Sequence, residues 1–233
     1  MSNTILFVFE GKNPEGHIFH ALKKEFFNSK QDDFIIVTYN TDIYQLWSEV
    51  ADDEFLDIIE ILRKKNVEAL AGISRDDIDQ VYLFFDYDGH ASKASDDVIG
   101  NMLEWFSNET EHGMLYVSYP MVEAFKDISS DPGFRDNFVS AKENIHYKTL
   151  VGGRGKYLDV RKLKPNDWGK IITANLCKAN YIVSGEYQLP QELVFQSEIF
   201  EKQLKKYIEP DNLIGVLSAF PFFVVEYFGL GFR

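Results

Sequence analysis

The first half of the chain alternates apolar strand-like runs with amphipathic helical segments, and this alternation restricts the fold more than any other feature. The pattern predicts strands over residues 4–9, 34–39, 80–85 and 114–118. It predicts helices between them, over residues 14–28, 42–50, 54–65 and 95–106. Strand–helix–strand units of this kind build a mainly parallel sheet flanked by helices, so the predicted fold class is α/β.

The second half has a different pattern, which predicts a catalytic domain over residues 1–130 and an irregular and helical part over 131–233. Residues 131–165 are expected to be irregular, because Asp131-Pro132-Gly133 and the run from Gly152 to Lys156 are typical of loops. Helices are predicted over residues 166–183, 190–208 and 211–228, with Pro190 and Pro210 at the starts of the last two.

The segment from Leu213 to Phe228 is the most apolar part of this second half. It is shorter than the roughly 20 residues that span a bilayer, and Pro221 and Glu226 interrupt it. A buried terminal helix is therefore favoured over a membrane anchor.

Composition limits the classes of function. Hydrophobic residues make up 45% of the chain and aromatic residues 15%, which is enough for a sizeable core. The net charge of −13 argues against non-specific nucleic-acid binding, so metal ions, a local basic patch or a partner would have to attract such a substrate. Cys177 is the single cysteine, which excludes an intrachain disulfide and fits a reducing cytosol. No signal peptide is visible, so a cytoplasmic location is expected.

Two of the predicted strands end in carboxylates and a glycine. Residues 4–9 are followed by Glu10 and Gly11, with Glu15 a short distance beyond, and residues 80–85 are followed by Asp86-Tyr87-Asp88-Gly89. Ligands of open α/β sheets bind outside the carboxyl ends of the strands, and carboxylate oxygens suit Mg²⁺. Acidic residues can also simply end strands and cap helices. Two such motifs on separate strands favour a metal site that acts on phosphate.

This pattern resembles the catalytic fold of the topoisomerase–primase (Toprim) family. The variant Glu10-Gly11-Lys12-Asn13-Pro14-Glu15 is most similar to the nuclease branch, which includes overcoming-lysogenization-defect (OLD) nucleases and related phage-defence effectors. The resemblance covers residues 4–125. It implies that Glu10, Glu15, Asp86 and Asp88 hold Mg²⁺ or Mn²⁺, and that Glu123 supplies a later acidic group.

The function that the resemblance implies is metal-dependent hydrolysis of phosphodiester bonds in DNA or tRNA. A basic side chain near the leaving phosphate would assist, and Lys148, Arg154 and Lys156 are candidates because they flank or belong to a glycine-rich basic segment. That segment lacks the ending of a phosphate-binding P-loop, so nucleotide hydrolysis by this chain is not expected. The resemblance further implies abortive infection as the setting and an OLD- or SMC-like ATPase as partner. A homo-oligomer is also compatible with this chain.

Three histidines offer weaker signals. His17 and His20 are three residues apart, a spacing that can bind a transition metal but more often marks surface or packing residues. His90 directly follows Asp88-Gly89 and is better placed to contact a substrate.

Two other functions remain open. Asp86-Tyr87-Asp88-Gly89-His90 resembles the opening motif of haloacid-dehalogenase-type phosphatases, in which Asp86 would be the nucleophile and Asp88 the general acid. That family has Thr where this chain has His90, and Glu10 would have no role. A non-catalytic Toprim-like subunit of a larger assembly is the second alternative, although such a subunit would be expected to lose some of the carboxylates.

Overall fold

The central sheet is arranged around β1 (Thr4–Phe9), whose last five residues are all buried. The computed structural model of the protein describes residues 3–27, 32–51, 57–129 and 133–231. In it β1 pairs in parallel with β2 (Asp33–Thr38) and with β3 (Gln80–Asp86). The strand order of the five-stranded sheet is β2-β1-β3-β5-β4, and β4 (Ser107–Asn108) is antiparallel to β5 (Gly113–Ser118). The predicted α/β class, with a mostly parallel sheet flanked by helices, is confirmed.

The helices predicted for the first half are also present. They are α1 (Pro14–Phe26), α2 (Ile43–Ala51), α3 (Ile58–Lys65) and α4 (Asp96–Trp105). Pro14 opens α1, where its fixed φ suits a first helical turn. Phe19 of α1 packs against Phe7 of β1 with ring centroids 4.2 Å apart, so apolar periodicity correctly indicated the buried face. Residues 28 and 54–56 of the predicted helices lie outside the described part of the chain.

The second half contains more regular structure than predicted. Its elements are β6 (Phe138–Ser140), α5 (Tyr147–Arg154), α6 (Pro165–Ser184), α7 (Gln196–Gln203), a π-helical turn (Leu204–Ile208), α8 (Glu209–Asp211), β7 (Leu213–Gly215) and α9 (Ala219–Phe228). Short 3₁₀ turns occupy Arg75–Asp77, Val122–Phe125 and Val160–Lys162. The predicted irregular segment 131–165 is therefore wrong over β6 and α5, and residues 131 and 132 lie outside the described residues.

Two of the three predicted late helices also need correction. The helix expected over 190–208 begins only at Gln196, so Pro190 does not start it. The helix expected over 211–228 is divided, because β7 pairs antiparallel with β6 before α9 begins at Ala219. Asn212 adopts φ 54°, which ends the preceding helix, and β7 is part of an apolar run whose periodicity does not distinguish strand from helix. The buried apolar helix that was predicted survives as α9.

The chain divides into two compact units, Met1–Phe85 with Asp97–Leu115 and Asp86–Asp96 with Tyr116–Arg233. The predicted division at residue 130 does not coincide with them. The first unit contains α1 to α3, α4 except for its first residue, and most of the sheet. The second contains the β6–β7 ribbon and α5 to α9, with Phe220 and Phe223 of α9 buried. Across the ranges that the structure describes, no helix is both long and apolar enough to cross a membrane.

Candidate metal centre

Glu10 lies directly after β1 in the first unit, and its backbone is held on both sides. Its amide donates to the carbonyl of Phe84 at 3.0 Å, and its carbonyl accepts from the amide of Asn40 at 2.8 Å. Because β1 runs parallel to both neighbouring strands, Glu10 occupies the carboxyl edge of this sheet. Its side chain is half-buried, as expected of a residue that lines a crevice.

Glu15 lies in the first turn of α1 and is buried. Its Oε1 accepts a hydrogen bond from the amide of Gly11 at 3.2 Å, so the carboxylate reaches back to the turn that follows Glu10. Glu15 therefore stabilises the connection between β1 and α1. Its predicted role as a metal ligand stays a prediction.

Asp86, Tyr87 and Asp88 open the second unit and continue the line of β3. The amide of Tyr87 donates to the carbonyl of Ser118 at 3.0 Å, and the amide of Asp88 donates to the carbonyl of Pro120 at 3.1 Å. Asp86 is buried, whereas Asp88 is half-buried and has φ 41°, in the left-handed region that carries a strain cost for most residues. The Asp-x-Asp motif is thus tied by its backbone to the segment that leads to Glu123.

Tyr87 anchors this motif in the core of the second unit. Its ring is fully buried, and its hydroxyl donates to Oδ1 of Asp96 at 2.6 Å. Lys142 forms an ion pair with the same carboxylate at 2.6 Å, so Asp96 connects the motif to the segment that follows β6. Local sequence patterns do not indicate this link, because Lys142 is 46 residues from Asp96 along the chain.

Gly89 permits a close approach that no other residue would allow. A Cβ built there would lie 2.4 Å from the carbonyl oxygen of Ala141 and 2.4 Å from Cε1 of Tyr87. Both distances are far below van der Waals contact. The glycine after the Asp-x-Asp pair is therefore required by the packing of residue 141 against this turn.

Gly89→Ala is expected to destabilise the protein by about 1–3 kcal/mol, because the added methyl group must displace backbone or a buried ring. Urea unfolding monitored by circular dichroism measures this change. Gly152→Ala is the matched control, since a Cβ at Gly152 of α5 has nothing within 4 Å. That variant should be neutral or slightly stabilising, as Ala favours helix over Gly. Equal stability of the two variants would contradict the packing argument.

Glu123 lies buried in the 3₁₀ turn Val122–Phe125 of the second unit. Its Oε1 is 3.9 Å from Nζ of Lys148, which belongs to the first turn of α5 and is largely exposed. The two residues that the sequence proposed as a late acid and a basic assistant are thus brought together. The buried carboxylate can orient the exposed ammonium group, and the ammonium group can contact a phosphate.

The prediction of a basic loop over residues 152–156 is wrong, because its first three residues are helical. Gly152, Gly153 and Arg154 form the last turn of α5, and Arg154 donates to both oxygens of Asp127, at 3.0 and 2.6 Å. Arg154 therefore has a structural partner. Lys156 follows the helix and is exposed, with Nζ 5.2 Å from the centre of the Tyr157 ring, and its predicted catalytic role is untested.

Asp127 is the centre of a charged cluster that sequence reasoning missed. Besides Arg154, its buried carboxylate accepts from the hydroxyl of Tyr147 at 2.9 Å and from Nδ2 of Asn137 at 3.0 Å. Hydrogen bonding to Asp127 raises the pKa of Arg154, and burial raises the pKa of Tyr147. Lys178 of α6 is fully buried nearby, donates to the carbonyl of Asn137, and faces the rings of Phe134 and Phe138. These contacts connect α5 and α6 to the segment around Asp127, so the cluster has a structural role.

Because the ammonium group of Lys178 is buried, the stability of the protein is expected to depend on pH. Burial lowers its pKa to about 7, against the opposing effect of the carboxylates of Asp127 and Asp136. Between this value and the ordinary pKa of 10.5, the unfolded chain binds more protons than the folded chain. The contribution of Lys178 to stability should therefore rise with pH through that window, by at most about 1.4 kcal/mol per pH unit.

The difference in unfolding free energy between the wild type and Lys178→Met isolates this effect from other titrations. We expect the wild type to gain stability relative to the variant as pH rises from 7 to 10, measured by urea unfolding. Lys170→Met, at an exposed position of the same helix, is the control and should show no such trend. If the difference in unfolding free energy between the wild type and Lys178→Met does not change with pH, burial does not lower the pKa of Lys178.

The remaining candidates are dispersed. His17, His20 and His90 are exposed, and Cys177 is half-buried on α6. Within the described ranges, no three or more His, Cys, Asp or Glu side chains are grouped closely enough to hold a metal ion. The carboxylates at Glu10, Asp86 and Asp88 have the oxygen chemistry that Mg²⁺ and Mn²⁺ prefer, with Glu123 as a further acid.

Comparisons with protein-family models, with curated proteins and with solved structures found no match for this chain.

Proposed function

We propose that the protein is a metal-dependent nuclease of Toprim type that hydrolyses phosphodiester bonds with Mg²⁺ or Mn²⁺. The observation that best supports this function is the pairing of β1 with β3. These strands are neighbours and run parallel, so the two strands that end in Glu10 and Asp86 end at the same edge of the sheet. Ligands of open α/β sheets bind outside that edge.

This proposal assigns the ion to Glu10, Asp86 and Asp88. Among the described residues these carboxylates are not grouped closely enough to hold an ion, so metal binding would have to draw them together. Glu15 would keep the β1–α1 turn in place. A bound divalent ion lowers the pKa of water and stabilises charge on phosphate oxygens. Lys148 would place a positive charge near the substrate, where a chain with a net charge of −13 needs one. Glu123, which pairs with Lys148, would orient that ammonium group.

The biological setting is part of the proposal and depends on the resemblance of the two acidic motifs to OLD-type nucleases. It comprises a role in phage defence by abortive infection, an OLD- or SMC-like ATPase partner, and DNA or tRNA as substrate. Each component can be tested separately from the chemistry.

The test is incubation of the purified protein with supercoiled plasmid and with total tRNA, in Mg²⁺, in Mn²⁺ and in EDTA. We expect that at least one of the two substrates is nicked or cleaved, and that this activity requires the metal. The assay is run both with and without an added ATPase. Release of phosphate from a small phosphomonoester, with no cleavage of either polymer, would instead favour the dehalogenase-type phosphatase. Absence of both activities in every metal would favour a non-catalytic subunit.

A further inference from the structure

A cavity of about 220 Å³ lies beside the Asp-x-Asp turn, entirely within the second unit. Three segments form its walls. They are Gly89 and His90 after the motif, Pro120 and Met121 after β5, and residues 140, 141 and 143–149 from the end of β6 into α5. The cavity is smaller than the roughly 300–1,000 Å³ of most clefts for drug-sized ligands, so it suits a single small unit of a larger molecule.

The lining combines an apolar part with a polar rim. Met121, Ala141 and Ile145 supply apolar surface, whereas His90, Asn144, His146, Lys148 and Thr149 supply rings, amide and hydroxyl groups and a positive charge. Glu143 is the acidic residue of the lining. An apolar surface with a few convergent polar groups is the usual character of a site for an organic ligand.

The cavity wall is fixed to the motif by three contacts already described. Residue 141 packs against Gly89, Lys142 binds Asp96, and Tyr87 binds the same Asp96. A ligand in the cavity would therefore be held in a constant position relative to Asp88. Such fixed placement is what a substrate-binding subsite requires.

We propose that this cavity binds one unpaired nucleotide of the nucleic-acid substrate, next to the phosphate to be cleaved. The inference depends on the proposed nuclease function and adds to it a preference for single-stranded or locally unpaired substrate. A base inside a duplex is stacked and cannot enter a cavity, whereas an unpaired base can leave the strand. The apolar lining and the imidazole ring of His90 would contact the base, since stacking on an aromatic ring tolerates any base.

The phosphate of the same nucleotide would lie on the side of Lys148 and His146. Lys148 carries the positive charge, and α5 begins at Tyr147, so the positive end of the helix dipole is on that side. Glu143 disfavours phosphate at its own part of the rim, which leaves the start of α5 as the phosphate side. Glu123 offsets the positive potential of the Lys148 ammonium group only in part, because Oε1 of Glu123 is 3.9 Å from Nζ of Lys148.

The experiment is fluorescence anisotropy with a short labelled oligonucleotide, in DNA and RNA forms, in Ca²⁺ in place of Mg²⁺. We expect the single strand to bind at least about tenfold more tightly than the duplex of the same sequence, as stacking of one base would give. Thr149→Met, which extends an apolar, non-aromatic side chain into the cavity from an exposed position, and Lys148→Ala should each weaken binding of the single strand by about fivefold or more.

Lys170→Ala is the charge-matched control, because Lys170 is exposed on α6 and is not part of the lining. It should leave binding unchanged, and unfolding curves of all variants should match the wild type. Equal affinity for single strand and duplex, or normal binding by folded Thr149→Met, would overturn the inference. Cleavage in Mg²⁺ that persists in that case would leave the nuclease proposal intact. Preferential single-strand binding without any cleavage would instead contradict only the nuclease proposal.

Discussion

Asp86→Asn should reduce metal-dependent cleavage by more than about 100-fold while the protein stays folded. Loss of a group that only orients a metal ligand already costs about 10–100-fold in affinity or activity, so loss of a ligand should exceed that range. The amide has nearly the same shape as the carboxylate and fits the same buried position at the end of β3. The Asn side chain keeps one acceptor oxygen, so the variant is expected to fold.

Glu10→Gln should have an effect of the same size, because the proposal assigns the same ion to both motifs. This variant separates the two enzyme classes that the sequence left open. A dehalogenase-type phosphatase that uses Asp86 would lose activity on Asp86→Asn and keep it on Glu10→Gln. A Toprim-type nuclease would lose activity on both.

Metal binding gives a second measurement that does not depend on cleavage. Mn²⁺ should raise the melting temperature of the wild type, since a ligand that binds only the folded state stabilises it. Neither Asp86→Asn nor Glu10→Gln should show the same rise. Asp76→Asn and Glu104→Gln remove exposed carboxylates and are the controls for both measurements. Unchanged cleavage in the two site variants would refute the assignment.

The centre of the sheet was predictable from sequence because β1 and β3 are buried on both faces. Val8 and Leu83, in neighbouring parallel strands, belong to short continuous apolar runs with clear ends, which is the pattern of a parallel sheet. The same pattern placed Glu10 and Asp86 at strand ends, so the candidate ligands followed from local information alone.

The errors in the second half have a common physical cause, which is that contacts between distant residues decide the structure there. Gly152 and Gly153 have low helix propensity, yet α5 forms through them, and its last residue, Arg154, is bonded to Asp127. β6 and β7 are three residues each and exist because they pair with one another. Neither secondary-structure propensity nor hydrophobic periodicity contains information about such contacts between distant residues.

The surroundings of the candidate site were unpredictable for a similar reason. In the sequence Tyr87 is only the residue between two aspartates, whereas in the structure its hydroxyl fixes the motif to Asp96. The requirement for Gly89 was visible as a turn signal, but its cause is the carbonyl of Ala141, more than 50 residues later. Sequence therefore indicated the reactive groups and missed what positions them.

Asp127→Ala should destabilise the protein by about 3–5 kcal/mol, the range for removal of one partner from a buried ionic cluster. The hydroxyl of Tyr147 and the amide of Asn137 would lose their acceptor in a buried environment, and Lys178 would lose a nearby opposite charge. Arg154 contributes less, because about half of its side chain is exposed and water screens that part of the interaction. Urea unfolding measures the change.

Two further variants separate burial from charge in this prediction. Asp127→Asn keeps an acceptor for Tyr147 and removes only the charge, so it should lose less stability than Asp127→Ala. Asp159→Ala breaks an exposed ion pair with Arg161 and should leave the unfolding midpoint nearly unchanged, because water replaces that interaction. If Asp127→Ala unfolds at the same midpoint as Asp159→Ala, the cluster does not hold α5 and α6 in place. If only Asp127→Ala and Asp127→Asn lose stability, the buried polar contacts of Asp127 stabilise the start of α5. Lys148 and His146, which line the cavity, lie next to Tyr147 in that segment.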